Sequence, residues 1–199
     1  MKTKNMKVLF LDFDGVITTY DSNWNIDLNK LLLIDRIIEQ TDAKIVVTSS
    51  WKHGSKDVED FKEKICARRC SKKVNGNMQF EKFIGQIYDI TDGCGYRGKE
   101  VEEYINAHKD EIESYVILDD DSDFTEEQLF NFVQTDTYEG ITEREVKLCV
   151  CILNKVKIPN PIRINLELTT MWRNTRSHLT EDNKIDVLLK EYYLKLNNL

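Results

Sequence analysis

The stretch MKVLFLDFDGVI, residues 6–17, runs apolar through Val8, Leu9, Phe10 and Leu11. It then sets Asp12 and Asp14 on either side of Phe13, with Gly15 next. An unbroken apolar run of this length, bounded by turn residues, reads as a strand buried on both faces, as strands of parallel sheets are. Carboxylates are seldom buried without partners. A core strand that delivers two of them therefore implies a partner at its end, and Gly15 lets the chain turn sharply there. A solvated pair of turn aspartates would account for Asp-Gly but not for the strand leading to it.

Three more apolar runs end on polar clusters. Residues 44–48 stop at Ser49 and Ser50, and residues 115–118 stop at the acidic run Asp119-Asp120-Asp121-Ser122-Asp123. Residues 130–134 stop at Thr135-Asp136. Helical spacing of apolar residues fills the intervals at 27–40, 55–70, 98–108 and 142–153, with Phe61 and Ile65 facing inward in the second. Asp27 is placed to cap the first of these helices, and Thr142-x-x-Glu145 has the form of a capping box on the last. Strands alternating with helices predict an α/β domain with a central parallel sheet covered on both faces. Ligands of such sheets bind beyond the carboxyl ends of the strands, where every cluster named here lies.

The chain has 199 residues, enough for one domain with a substantial core. Residues 1–158 are assigned to that domain. Pro159-Asn160-Pro161 then breaks the chain, and 159–199 read as a C-terminal extension, amphipathic over 182–196, packed on the domain or on a partner. Hydrophobic content of 41% and charged content of 32% describe a folded rather than a disordered chain. The net charge of -7 argues against attachment to nucleic acid or anionic lipid by bulk charge. The apolar stretch near the N-terminus is too short for a signal-peptide core and ends in acid, and no run approaches the length of a membrane span. A cytoplasmic protein without membrane attachment is expected. Five cysteines and no paired histidine spacing fit reduced thiols rather than a disulfide framework or a zinc site.

A carboxylate can attack a phosphoryl group, and a second one nearby can protonate the leaving oxygen and then activate water. Two carboxylates that face an anionic substrate require a cation, and Mg2+ prefers carboxylate, water and phosphate oxygens. The run after Leu118 supplies further oxygens if its strand lies beside the first. Its D-x-D-x-D start resembles a calcium loop, but Phe124 and Phe130 stand where that loop needs glycine and glutamate. Ser49 and Ser50 offer donors to phosphate, and Arg97 and Lys99 offer positive charge. Phosphoacceptor signalling domains use similar parts, but in a different order along the chain.

In that order, acid pair, hydroxyl, base and acid cluster, the chain resembles the haloacid dehalogenase (HAD) superfamily of aspartate-nucleophile phosphohydrolases. LFLDFDGV resembles its first motif, VVTSSW its second, YRGKEVEEYI its third and YVILDDDSDF its fourth, over residues 6–155. The set DFDGV, SSW, RG-x-E, ILDDDSDF and Gln134-Thr-Asp with Gly140-Ile-Thr is similar to the HAD domains of Swiss Army Knife RNA repair proteins. The resemblance implies a three-layer Rossmann-like fold and Mg2+-dependent phosphomonoester hydrolysis, with Asp12 as nucleophile and Asp14 as general acid/base.

It also implies Mg2+ held by Asp12, the backbone carbonyl of Asp14, and Asp120 with help from Asp119 or Asp123. Ser49 best fits the phosphate-binding hydroxyl, with Thr48 and Ser50 as alternatives in register. Arg97 replaces the family's lysine, with Lys99 as the alternative. The interval 16–43 holds one helix, and 51–96 one helix and a loop-rich stretch, so no full cap domain is expected. An open site would admit a nucleic-acid or nucleotide phosphate end. The net +4 of residues 52–73 could follow a phosphate backbone, against the plainer reading of a solvated mixed-charge helix. The alternative function is a non-catalytic domain that binds phosphorylated ends or a protein partner.

Overall fold

In the computed structural model, which describes residues 5–68, 73–93, 95–125 and 127–156, the first apolar run becomes the middle strand of a sheet. β1 (Met6–Leu11) pairs in parallel with β2 (Lys44–Val47) on one side and β4 (Ile112–Asp119) on the other. β3 (Ile87–Ile90) and β5 (Phe132–Gln134) form the edges, so the order is β3-β2-β1-β4-β5 and all pairs are parallel. This is the Rossmann-like α/β architecture expected of a HAD fold.

Among the described residues four helices lie between strands, α1 (Leu28–Thr41), α2 (Val58–Ala67), α3 (Met78–Gln86) and α4 (Arg97–Ala107), and α5 (Glu143–Leu153) follows β5. Asp27 caps α1 by accepting from the Asn29 N–H at 2.8 Å. The Thr142/Glu145 capping box is present on α5. Val8 and Phe10 face the side covered by α4, whose Val101 and Tyr104 pack with them and with Val46 and Ile117. Leu9 and Leu11 alternate to the other side and are equally buried, while α1 packs between α3 and α5. Complete burial of four successive residues is why β1 carries no polar alternation.

The interval 51–96 holds more structure than its sequence pattern indicates. Beyond α2 it contains α3 and β3, where a loop-rich stretch is expected. β3 is a short edge strand, IYDI, with Tyr88 exposed and Asp89 in its middle, so it lacks the apolar continuity that marks the inner strands. Neither helix of this interval forms a cap, because α2 packs on β3 and α3 packs on α1. Lys82 of α3 ties that packing with an ion pair to Asp35 of α1 at 2.6 Å. The last strand also begins later than its pattern suggests, since residues 128–131 form a 3-10 turn. The C-terminal extension lies outside the described residues. Among the described residues no helix is long and apolar enough to cross a membrane.

Candidate active site

Register builds the site. Leu11 pairs with Leu118 across β1 and β4 and with Val47 across β1 and β2, so the residues that follow emerge side by side. These are Asp12, Asp119 and the turn that begins at Thr48, all at the carboxyl ends of adjacent strands. β1 is followed by β2 on one flank and bordered by β4 on the other. This is the crevice where open α/β sheets bind ligands.

Asp12, Asp119 and Asp120 each present a carboxylate oxygen, and the three oxygens lie within 4.8 Å of one another. Asp12 and Asp119 are buried, and Asp12 Oδ1 has no hydrogen-bond partner. Asp119 Oδ1 accepts from the Asp121 N–H at 2.9 Å. Asp120 Oδ2 accepts from the Thr137 hydroxyl at 2.6 Å. Gly15, at φ +70°, explains how Asp120 lies over the first loop, because a Cβ there would stand 2.2 Å from its carboxylate.

Burial pushes Asp12 up to about 6, against the opposing pull of Arg97, the Ser49 hydroxyl and the Phe13 backbone, while the nearby charge of Asp14 adds to the rise. Asp119 rises well above the carboxylate range, first through burial and then through the charge of Asp12. Burial raises Asp120 as well, opposed by the Thr137 hydrogen bond. Crowded, desolvated carboxylates of this kind favour a cation among them. An all-oxygen set with one buried oxygen that accepts no hydrogen bond suits a hard divalent ion such as Mg2+.

Arg97 is the positive charge at this place. Its guanidinium forms an ion pair with Asp119 and stands 3.7 Å from Asp12 Oδ1. Burial disfavours its charge, but Asp12 and Asp119 more than compensate and hold the proton firmly. The R-G-x-E pattern then explains itself. Gly98 lets the first turn of α4 press against the Asp123 carbonyl, which a Cβ would meet at 2.9 Å. Glu100 is buried in an ion pair with Lys52 at 2.9 Å and accepts from the Gly95 N–H at 3.0 Å, which fixes the loop ahead of Arg97.

The structure does not bring Lys99 to the site. Its side chain is 70% exposed and faces Glu103 at 3.7 Å on the outer surface of α4. Asp123 is also outside the triad and accepts from the Arg97 N–H at 3.3 Å, at the start of α4. Ser49 is fully buried beside Asp12 and caps the 3-10 turn at Ser50–Lys52. Thr48 is buried with its hydroxyl unpartnered, and Ser50 is exposed.

Asp14 lies near Asp12 but is not one of the three clustered carboxylates, and both of its oxygens are engaged. Oδ1 accepts from the Thr18 hydroxyl at 2.8 Å, and Oδ2 accepts from the Trp51 indole N–H at 2.9 Å. Phe13 turns the other way, into an aromatic cluster with Trp51, Phe61 and Phe83 at centroid distances of 5.3, 6.0 and 5.8 Å. Thr18 and Thr137 escape sequence reasoning as site residues, since standing just beyond a strand end does not say where a hydroxyl points. Trp51 stands in the SSW motif, but the motif does not say that its indole meets Asp14.

Among the described basic residues after Trp51, Lys52, Lys62, Lys64 and Arg68 have partners. Lys62 and Lys64 bind Glu59 and Asp60 on their own helix, and Lys52 is buried against Glu100. Arg68 donates to the Trp51 carbonyl at 2.7 Å and lies 4.9 Å over its ring. A cavity of about 660 Å3 beside β3, lined among others by Lys52, Glu100 and Tyr104, contains none of the site aspartates.

Comparison with known proteins agrees with this geometry. Residues 8–146 match the family model described as the HAD domain in Swiss Army Knife RNA repair proteins, a match that points to a phosphatase-type hydrolase. No curated protein and no solved structure matches the chain.

Proposed function

The chain belongs to the family of HAD domains in Swiss Army Knife RNA repair proteins, and from that premise we propose that it is a Mg2+-dependent phosphomonoesterase acting through a phospho-Asp12 intermediate. The observation that carries the reading is the convergence of Asp12, Asp119 and Asp120 around one point, with Asp14 held close by in a different environment. Asp12, Asp119 and Asp120 would hold the ion, with the Asp14 backbone carbonyl as the further ligand that the family pattern assigns. When bound, Mg2+ neutralises the phosphoryl oxygens and the crowded carboxylates.

An Asp12 oxygen attacks phosphorus as the bond to the leaving oxygen breaks, and protonated Asp14 delivers its proton to that oxygen. Asp14, now a carboxylate, takes a proton from water. The resulting hydroxide attacks the phosphorus of the acyl phosphate, releasing inorganic phosphate and regenerating Asp12. Arg97 and the Ser49 hydroxyl bind the phosphoryl oxygens and the charge that builds on them. The two chemical roles divide between two environments, a buried, crowded Asp12 and an Asp14 oriented by neutral donors.

The substrate class we favour is a nucleotide or nucleic-acid phosphate end, supported by the family's description and by the lack of a cap among the described residues. Asp12→Asn should abolish phosphate release from an aryl phosphate in the presence of Mg2+ while leaving the fold intact by circular dichroism. Full activity in that variant would refute the assignment, and no release by the native protein from any phosphomonoester would favour a phosphate-binding role instead.

A further inference from the structure

Tyr20 and Tyr138 expose most of their surface, 62% and 63%, yet their rings meet at a centroid distance of 5.5 Å with planes inclined by 57°, so that a flat group stacked on one ring meets the edge of the other. They come from opposite ends of the domain's sequence: Tyr20 from the loop after β1 and Tyr138 from the loop after β5. Gly140, at φ +73°, brings the loops together, since a Cβ there would lie 2.5 Å from the Val16 carbonyl oxygen. The Ile141 N–H donates to that same oxygen at 3.1 Å, and the Thr135 hydroxyl donates to the Gly15 carbonyl at 2.8 Å. Asp136 closes the second loop by accepting from the Tyr138 and Glu139 N–H groups at 2.8 and 3.0 Å. The aromatic pair is therefore mounted on braced backbone, so ordering it on binding costs little.

Its position ties it to the candidate active site. Thr137, the residue before Tyr138, is the one whose hydroxyl binds Asp120. The loop that carries Tyr20 begins with Asp12, Asp14 and Gly15. We propose that Tyr20 and Tyr138 form a stacking platform for the base of the nucleotide whose phosphate meets Asp12, an inference that rests on the phosphatase reading and names its substrate class more narrowly. Aromatic side chains take any base through its π face, so the platform is tolerant of sequence.

The surrounding charge selects the base rather than the backbone. Asp21, Asp136 and Glu139 are exposed within two residues of Tyr20 or Tyr138 in the chain, and a phosphodiester chain running over these loops would meet like charge. Binding at the platform consequently depends only weakly on salt, in contrast to recognition by counterion release.

The test compares the native protein with Tyr20→Ala/Tyr138→Ala and Tyr20→Phe/Tyr138→Phe on two substrates, a nucleoside 5′-monophosphate and ribose 5-phosphate, with Mg2+. The alanine pair should raise KM for the nucleotide about tenfold or more, on the scale of one lost stacking contact. Its kcat, its KM for ribose 5-phosphate and its melting temperature should not change, and the phenylalanine pair should behave as the native protein. An unchanged nucleotide KM, or a parallel rise for ribose 5-phosphate, overturns the platform. Anisotropy of a fluorescent nucleoside, which carries no phosphate to be repelled, decides the matter even if nothing is hydrolysed. Binding that the alanine pair loses supports the platform while the phosphatase reading fails, and no binding by the native protein overturns the platform.

Discussion

The indole N–H of Trp51 donates to Asp14 Oδ2 at 2.9 Å, joining the turn after β2 to the turn after β1. The ring itself is fixed from two sides, by Phe13 edge-on at 5.3 Å and by the Arg68 guanidinium. With Thr18 on the other oxygen, Asp14 has one orientation set by two neutral donors.

Trp51 is consequently a positioning residue for the proposed proton carrier. Trp51→Phe keeps the aromatic packing and removes the donor, and kcat should fall about tenfold, part of the contribution expected of general acid–base catalysis. The loss should be larger for an alkyl phosphate, whose leaving oxygen needs a proton, than for p-nitrophenyl phosphate, whose leaving group does not. Equal losses on both substrates would indicate that Trp51 acts only through stability.

Protons and metal compete for the three clustered carboxylates. Burial raises Asp12 to about 6 and raises Asp119 and Asp120 above their usual range, so the metal-free folded state binds protons more tightly than the unfolded chain. For a raised carboxylate the contribution to stability is fully present below the unfolded value, near 4, and is lost as pH rises through the folded value. Metal-free protein should thus lose stability from these groups between about pH 4 and 6 and beyond. Mg2+ must displace those protons, so its stabilising effect should be larger at pH 7.5 than at pH 5.5. Calorimetric titration at pH 6 in buffers of different ionisation enthalpy should show proton release on binding, and thermal shifts of equal size at both pH values would contradict the metal assignment.

Lys52 and Glu100 form a buried pair remote in sequence, with side-chain exposures of 2% and 8%. Lys52→Met leaves Glu100 charged and buried, and urea unfolding should show a loss of about 3–5 kcal/mol. Lys52→Met/Glu100→Gln should recover much of it, because the uncompensated charge is then gone. Equal destabilisation in the single and double variants would mean that packing of the lysine stem, and not charge, holds the loop ahead of Arg97.

Much of the fold was legible because its signals are local. Four apolar residues ending on acid mark β1, and Asp27 and Thr142 announce helix starts through hydrogen bonds that reach only two or three residues. β3 and α3 were not legible, since an edge strand that exposes Tyr88 and contains Asp89 has no apolar continuity to read. Burial of an edge strand depends on what packs against it.

The sequence by itself determined which chemistry-bearing residues stand at strand ends, because a switch from apolar to acidic residues is a property of consecutive positions. Only the tertiary structure decided which of them meet. The pairing of Leu11 with Leu118 sets Asp12 beside Asp119 and Asp120, while Asp123, a few residues on, serves α4 instead. Arg97 and Lys99 are two residues apart on one helix, and the helical turn of about 100° per residue sends one to Asp12 and the other to solvent. Trp51 finds Asp14, and Tyr20 finds Tyr138, through loops brought together by sheet order and by glycines with no Cβ in the way. Such distances depend on register and packing between segments far apart in the chain, and these are fixed only when the whole core closes.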